Sequence, residues 1–249
     1  MEARNTYKYF AKFYDSYTKD FLKDISLYKG FIENCTNILE VGCGTGRILK
    51  ELAVKNKIIT GIDISEEMLE IAKEKLKQEI LDKNIIIMEH DFSNGSIEKI
   101  YDICLVTWFT FNYIFENADN FLKNIYDCLK EGSLIILDMF YPQTLKHPEN
   151  NNKWIHKEIK FEDRKYLLKD KRSIINNVEQ RIQIFETDDH SEEIMTNRIY
   201  YSKTDIQTKL LNAEFNEISF IENYDISTQH ILTKNERTEN DYICIGKKI

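Results

Sequence analysis

Apolar positions along the 249-residue chain change their spacing twice, and each change marks a different kind of element. Over residues 1–34 the aromatics Tyr7, Tyr9, Phe10, Phe13, Tyr14, Tyr17 and Phe21 fall without strand-like alternation. That spacing predicts one or two helices, read as an N-terminal helical lid. From residue 35 short β-type runs alternate with helical stripes. Asn37-Ile38-Leu39-Glu40-Val41 reads as a strand, and Ile48, Leu49, Leu52 and Ala53 recur at helical spacing behind a glycine turn. Residues 57–64 read as a second buried strand, with Ser65 as N-cap of a helix whose first turn holds Glu66 and Glu67. Met68, Leu69, Ala72 and Leu76 supply that helix's stripe. Residues 85–88 and 101–106 are predicted as strands three and four. Phe121, Leu122, Ile125, Cys128 and Leu129 predict a helix stopped by Gly132, before a fifth strand over 133–140.

After Pro142 the character shifts, and no glycine occurs between Gly132 and Gly246. Alternating stretches such as Arg181-Ile182-Gln183-Ile184 and residues 193–201 predict antiparallel strands with one wet face. Their turns fall to Asn176-Asn177 and Asp188-Asp189, residue types that tolerate positive φ. Helical spacing resumes at Ile206, Leu210, Leu211 and Ala213, and two last strands follow near 217–224 and 241–246. The expected fold is α/β: a doubly wound, Rossmann-like, mostly parallel sheet with helices on both faces and a β-rich insertion after strand five. The main domain is assigned to 35–142 and 201–249, and the insertion to 143–200 as part of a substrate pocket.

Composition narrows the classes. A hydrophobic fraction of 42% against 31% charged describes a globular chain, and no run approaches the ~18 apolar residues of a membrane span. Residues 1–20 lack the apolar core of a signal peptide, which places the protein in the cytoplasm with no membrane partner. Cys35, Cys43, Cys104, Cys128 and Cys244 form no CxxC pair or Cys/His cluster, so neither disulfides nor a metal are expected. The net charge of −8 disfavours nucleic acid as a partner.

Candidate chemistry sits at the ends of three successive strands. Gly42, Gly44 and Gly46 let the backbone turn sharply and approach a ligand, with a helix N-terminus behind them. Arg47 stands where a dinucleotide fold would place its third glycine. Asp63 ends strand two, where a carboxylate can accept both hydroxyls of an adenosine ribose, a device that nicotinamide enzymes share. Asp91 and Phe92 follow strand three, an acid and an aromatic suited to adenine, and Ile64 and Met68 are candidates for the opposite apolar wall.

Residues 38–47 (Ile-Leu-Glu-Val-Gly-Cys-Gly-Thr-Gly-Arg), Gly61-Ile62-Asp63-Ile64-Ser65 with Met68-Leu69, and His90-Asp91-Phe92 resemble the class I S-adenosylmethionine-dependent methyltransferases. The resemblance implies a seven-stranded sheet with an antiparallel last strand, S-adenosylmethionine as cofactor and S-adenosylhomocysteine as product. It also implies that Glu40 and the turn through Gly42, Cys43, Gly44 and Gly46 face the methionine half, beside Thr107 and Trp108. Residues 9–15 and the insertion look like those of small-molecule enzymes, including glycine and amino-sugar N-methyltransferases, in which a tyrosine matching Tyr14 closes over the cofactor. One departure is Ala213-Glu214-Phe215 in place of the family's Ala-Gly-Phe.

The expected reaction is in-line methyl transfer to nitrogen, or less favourably oxygen, of a small acceptor, by a monomer or homodimer. A neutral amine needs no base, whereas a hydroxyl must lose its proton. Tyr14 and His147 are the catalytic candidates, with His156, His190 and Asp138 also considered, and no residue is assigned as a catalytic base. Tyr14, Phe109, Tyr113 and Arg237 are candidates for the acceptor. The alternatives are a nicotinamide-dependent oxidoreductase and a non-catalytic cofactor-binding scaffold.

Overall fold

The computed structural model describes residues 11, 13–15, 18, 21–161, 164–232 and 240–249. Strands β1 (Asn37–Val41), β2 (Ile58–Asp63), β3 (Ile85–Glu89), β4 (Tyr101–Val106) and β5 (Leu129–Met139) pair in parallel in the order β5-β4-β1-β2-β3. The chain then leaves to build a second, antiparallel sheet from β6 (Trp154–Phe161), β7 (Arg164–Ile175), β8 (Val178–Glu186) and β9 (Ser191–Ile199). It returns through β10 (Phe215–Glu222) and β11 (Tyr242–Lys248), giving seven strands in the order β10-β11-β5-β4-β1-β2-β3. β11 runs antiparallel to both its neighbours, as the resemblance implies.

The central strands are buried on both faces. Successive residues Ile38 and Leu39 of β1 are both 0% exposed, because helices cover each side of a parallel sheet. On one face Leu39, Val41 and Val106 meet Phe121, Leu122 and Ile125 of helix Ala118–Asp127 and Ile206 and Leu210 of helix Lys203–Asn212. On the other, Ile38, Ile59 and Leu105 meet Ile25 and Tyr28 of helix Lys23–Phe31, Leu49 of helix Arg47–Leu52, and Leu69 of helix Glu66–Lys75. Ser65 caps that last helix by accepting the Met68 N–H at 3.3 Å, and Ser202 and Asp205 form a capping box on Lys203–Asn212.

Several local expectations need correction. The helix expected to reach Gly132 stops at Asp127, and Gly132 lies inside β5 with φ +81°. There it serves a shift of register against β4, a bulge and not a helix cap. Asn176 and Asn177 do adopt positive φ (48° and 60°) in a two-residue hairpin between β7 and β8, but Asp188 and Asp189 belong to a wider loop without it. Leu211 faces solvent at 52% exposure.

The family departure at Glu214 now has a physical meaning. The residue follows helix Lys203–Asn212 with φ +71°, a left-handed position in which a Cβ is strained and glycine is preferred. Left-handed geometry costs an L-residue roughly 1–2 kcal/mol, part of which glycine returns through its freer unfolded chain. Glu214→Gly is expected to raise stability by about 0.5–1 kcal/mol in urea denaturation.

Candidate active site

The strands β1, β2 and β4 end side by side, with Val41 paired to Ile62 and to Val106, so the loops leaving them must share one volume. The first loop is tied to β2 by the N–H groups of Gly42 and Cys43, which both donate to the Ile62 carbonyl at 2.7 and 3.0 Å. Gly42 has φ +77°, and a Cβ there would lie 1.9 Å from Thr110 Oγ1. A Cβ on Gly44 would meet only the Tyr14 ring, at 3.8 Å. Cys43 is 5% exposed and packs in the core.

Asp63 stands at the end of β2. Its two carboxylate oxygens accept the backbone N–H groups of Gly44 (2.8 Å) and Ser65 (3.0 Å). Burial raises its pKa, with the N–H groups of Ser65, Gly44 and Ile64 opposing. An ionised carboxylate has about four lone-pair positions, so each oxygen keeps acceptor capacity. Ile64 beside it is half-buried, and Met68 is 2% exposed on the following helix. Asp91 caps its own loop, accepting from Ser93 N (2.9 Å) and Asn94 Nδ2 (2.8 Å). Phe92, expected to pack on adenine, is a core residue in this structure. It is 1% exposed and edge-on to His90 and Phe121, an anchor that holds the Asp91 loop to the core.

Glu40 is the buried acid of the site. Its Oε1 accepts the Thr107 hydroxyl at 2.9 Å, whereas Oε2 is buried and has no partner among the described residues. Burial pushes its carboxyl up to about 8, against the Thr107 bond and the Arg47 charge. An unpaired buried polar atom carries a desolvation penalty of about 1–3 kcal/mol, so it asks for a donor.

The turn after β4 is strained. Trp108 and Phe109 both have positive φ, 50° and 64°, which costs of order 1–3 kcal/mol per residue. Asp138 of β5, fully buried, restrains it. Its Oδ2 accepts the Trp108 N–H and the Tyr28 hydroxyl, both at 3.1 Å, and its Oδ1 accepts the Tyr224 hydroxyl at 2.9 Å. Asp138 is thus a bridging acceptor and its carboxylate is surrounded by protein donors. Arg47 is engaged in a link of its own: it donates to Asp24 at 2.5 Å and to the Phe21 carbonyl at 3.0 Å, under the Trp108 ring at 4.8 Å.

Beyond this turn lies a cavity of about 190 Å³ between the end of the main sheet and the second sheet. Tyr14, Trp108, Phe109, Tyr113 and Phe140 form its aromatic walls, and Arg172, Arg181, Gln183 and Arg198 line it from β7, β8 and β9. Tyr14 belongs to both sites, because the ring that covers Gly44 also lines the cavity. Burial pushes its phenol pKa well up, with Arg47 opposing. The cavity arginines and Gln183 are residues that the sequence reading missed. Their alternation marks a strand, but only the second sheet's docking shows which face turns inward. His147 is exposed, pairs with Glu149 at 3.4 Å and is absent from the cavity wall, as are the exposed His156 and His190. Arg237 lies outside the described residues.

A family model described as a methyltransferase domain matches residues 38–132. Among curated proteins, malonyl-[acyl-carrier protein] O-methyltransferase 2 of Ilyobacter polytropus is 29% identical over 185 residues, 70% of either chain. A putative methyltransferase of Geobacillus sp. (strain WCH70) is 28% identical over 153 residues, 57% of this chain, and the match spans 60% of its length. Among solved structures, an S-adenosylmethionine-dependent methyltransferase from Clostridium acetobutylicum superposes with a TM-score of 0.76 at 20% identity, over 97% of this chain and 98% of the other. A sugar N-methyltransferase from Streptoalloteichus gives 0.70 at 14% identity, covering 94% and 92%.

Residues 38–132 thus match a methyltransferase domain, and the chain as a whole shares the fold of a solved S-adenosylmethionine-dependent methyltransferase. Solved neighbours of the same fold include a glycopeptide N-methyltransferase complexed with S-adenosylhomocysteine and with sinefungin. The residues present fit S-adenosylmethionine: Glu40 Oε2, unpartnered among the described residues, offers an acceptor to an ammonium, and Asp63 keeps acceptor capacity for hydroxyls.

The crowding at Gly42 is testable without any ligand. Gly42→Ala combines left-handed strain with overpacking against Thr110 and should destabilise by about 2–5 kcal/mol. Gly95→Ala, where a Cβ meets nothing within 4 Å, is the control and should stay within about 0.5 kcal/mol by denaturant titration.

Proposed function

We propose that this protein transfers a methyl group from S-adenosylmethionine to a nitrogen of a small acceptor held in the cavity beyond Trp108 and Phe109. The observation that carries the reading is the shared wall: Tyr14 covers the glycine turn and lines the cavity, so cofactor and acceptor sites adjoin. When bound, the cofactor supplies a methyl group on a sulfonium, already a good leaving group. The protein's contribution is therefore mostly position, which can lower the barrier by ~7–11 kcal/mol when the reacting atoms are aligned.

In this reading Glu40 Oε2 accepts from the cofactor's ammonium, and the free lone pairs of Asp63 accept the ribose hydroxyls. Asp91 faces the adenine amino group, with Ile64 and Met68 beside the ring. Cys43 and Gly46 shape the turn, Thr107 orients Glu40, and Arg47 supports the Trp108 wall through Asp24. Tyr14 closes over the turn, and Phe109 and Tyr113 bound the acceptor. No histidine is among the residues lining the cavity, which suits an acceptor that reacts without losing a proton to a base.

Two other readings fare less well. The methyltransferase-domain match over residues 38–132 favours the sulfonium cofactor over nicotinamide, and an arginine-lined cavity beside the turn favours an enzyme over a scaffold. Transfer to oxygen keeps one specific support, the similarity to a malonyl O-methyltransferase. A carboxylate, like an amine, is a nucleophile that needs no base. Lining by both sheets favours a small molecule over a polymer, and among the described residues no helix is long and apolar enough to cross a membrane.

Proton release tests the cofactor assignment. With its carboxyl near 8, Glu40 is mostly protonated at pH 7, and an ammonium against Oε2 would pull that value down. Binding should therefore release a fraction of a proton approaching one, read by calorimetry at pH 7 in buffers of different ionisation enthalpy. Glu40→Gln should bind more weakly and release none. Equal proton release by wild type and variant would remove Glu40 from the site.

A further inference from the structure

The face that the second sheet turns inward is divided. At one end Tyr166, Leu168, Phe185 and Ile194 bury Phe13. Farther along the same strands the inward positions become polar, with Asp170 and Arg172 on β7 and Arg181 and Gln183 on β8. Arg172 and Arg181 are direct cross-strand partners, an arrangement in which like charges repel. Asp170 bridges them. Arg181 binds it through two nitrogens at 3.0 and 2.7 Å, while Arg172 makes only a 3.4 Å bond. The cluster therefore sets two guanidiniums against one carboxylate at the cavity wall.

A second observation points the same way. Gln183 is 4% exposed and lines the cavity, and its Nε2 has no hydrogen-bond partner among the described residues. A buried amide donor without an acceptor is costly unless a ligand completes it. Among the described residues, the other charged groups of the wall have partners of their own. Arg198 is neutralised by Glu179 at 2.6 Å and packed over Phe140 at 4.1 Å. Asp241, also on the cavity wall, accepts the Tyr141 N–H at 2.7 Å, and burial raises its pKa.

We propose that Arg172, Arg181 and Gln183 form a subsite for an oxyanion of the methyl acceptor, a carboxylate or a phosphate, which anchors one end of the molecule. The guanidinium fork suits either group, and the amide adds a third donor. This rests on the reading of the cavity as the acceptor site. It defines the acceptor class as anionic: a molecule whose charged group is bound by the second sheet while its nucleophile faces the Tyr14 and Trp108 wall.

The test is calorimetric titration of the full chain saturated with S-adenosylhomocysteine, using malonate and uridine 5′-diphosphate as probes and glucose as the neutral control. At least one anion should bind and glucose should not. Tighter binding of malonate identifies a carboxylate subsite, and tighter binding of the diphosphate a phosphate one. Arg172→Gln leaves the Arg181–Asp170 pair intact and should weaken anion binding at least tenfold. Gln183→Met removes the unpartnered donor at nearly constant volume and should weaken it at least threefold. Both should keep S-adenosylhomocysteine affinity within twofold. Absence of anion binding to a chain that binds S-adenosylhomocysteine, or equal binding by wild type and both variants, overturns the subsite. Failure of the wild type to bind S-adenosylhomocysteine overturns the methyltransferase reading itself.

Discussion

The site depends on two turns sharing one small volume. β1 and β4 are adjacent and in register, so their exits collide unless one turn gives up its side chain. Gly42 does so, and Thr110 fills the space a Cβ would need. The second turn bends through left-handed geometry at Trp108 and Phe109, and Asp138 holds it with a bond to the Trp108 N–H. Because Asp138 also takes hydroxyls from Tyr28 and Tyr224, the same carboxylate joins the turn to the first described helix and to the loop after β10. Strain at the aromatic wall is thus restrained by three separate elements.

Position then spreads outward from this junction. Three consecutive residues tie the N-terminal segment to three different bodies. Phe13 stacks on Phe185 and meets Tyr166 edge-on, Asp15 pairs with Lys75 and accepts from Thr45, and Tyr14 between them covers the glycine turn. Tyr14 therefore cannot shift alone. Its placement couples the second sheet to the helix that follows β2, which is how an insertion remote in sequence comes to face the cofactor turn.

Much of this was legible in the sequence because it depends on local pattern. Short apolar runs between helical stripes mark β1 to β5, and three glycines followed by Asp63 and Asp91 mark the ends of three strands. What escaped depends on distant partners. Gly132 resembles a helix stop until β4 is seen to need a bulge opposite it. Phe92 resembles a ligand contact until Phe121 is found against it. Asp138 is one acid in an apolar run, and nothing local shows that Tyr28 and Tyr224 converge on it. The inward arginines of β7 and β8 read as a wet strand face, since alternation gives two faces but not which one is covered. Glu214 was visible as a departure from family pattern, and its left-handed φ supplies the reason that glycine is usual there.

In the proposed reading the cofactor binds between Glu40 and the Trp108 wall, next to the acceptor cavity. Trp108 and Trp154 are the chain's two tryptophans, so Trp154→Phe leaves a single reporter in that wall. Its fluorescence should change saturably with S-adenosylhomocysteine and remain unaltered with NAD⁺. No change with S-adenosylhomocysteine, or an equal change with NAD⁺, would contradict the account.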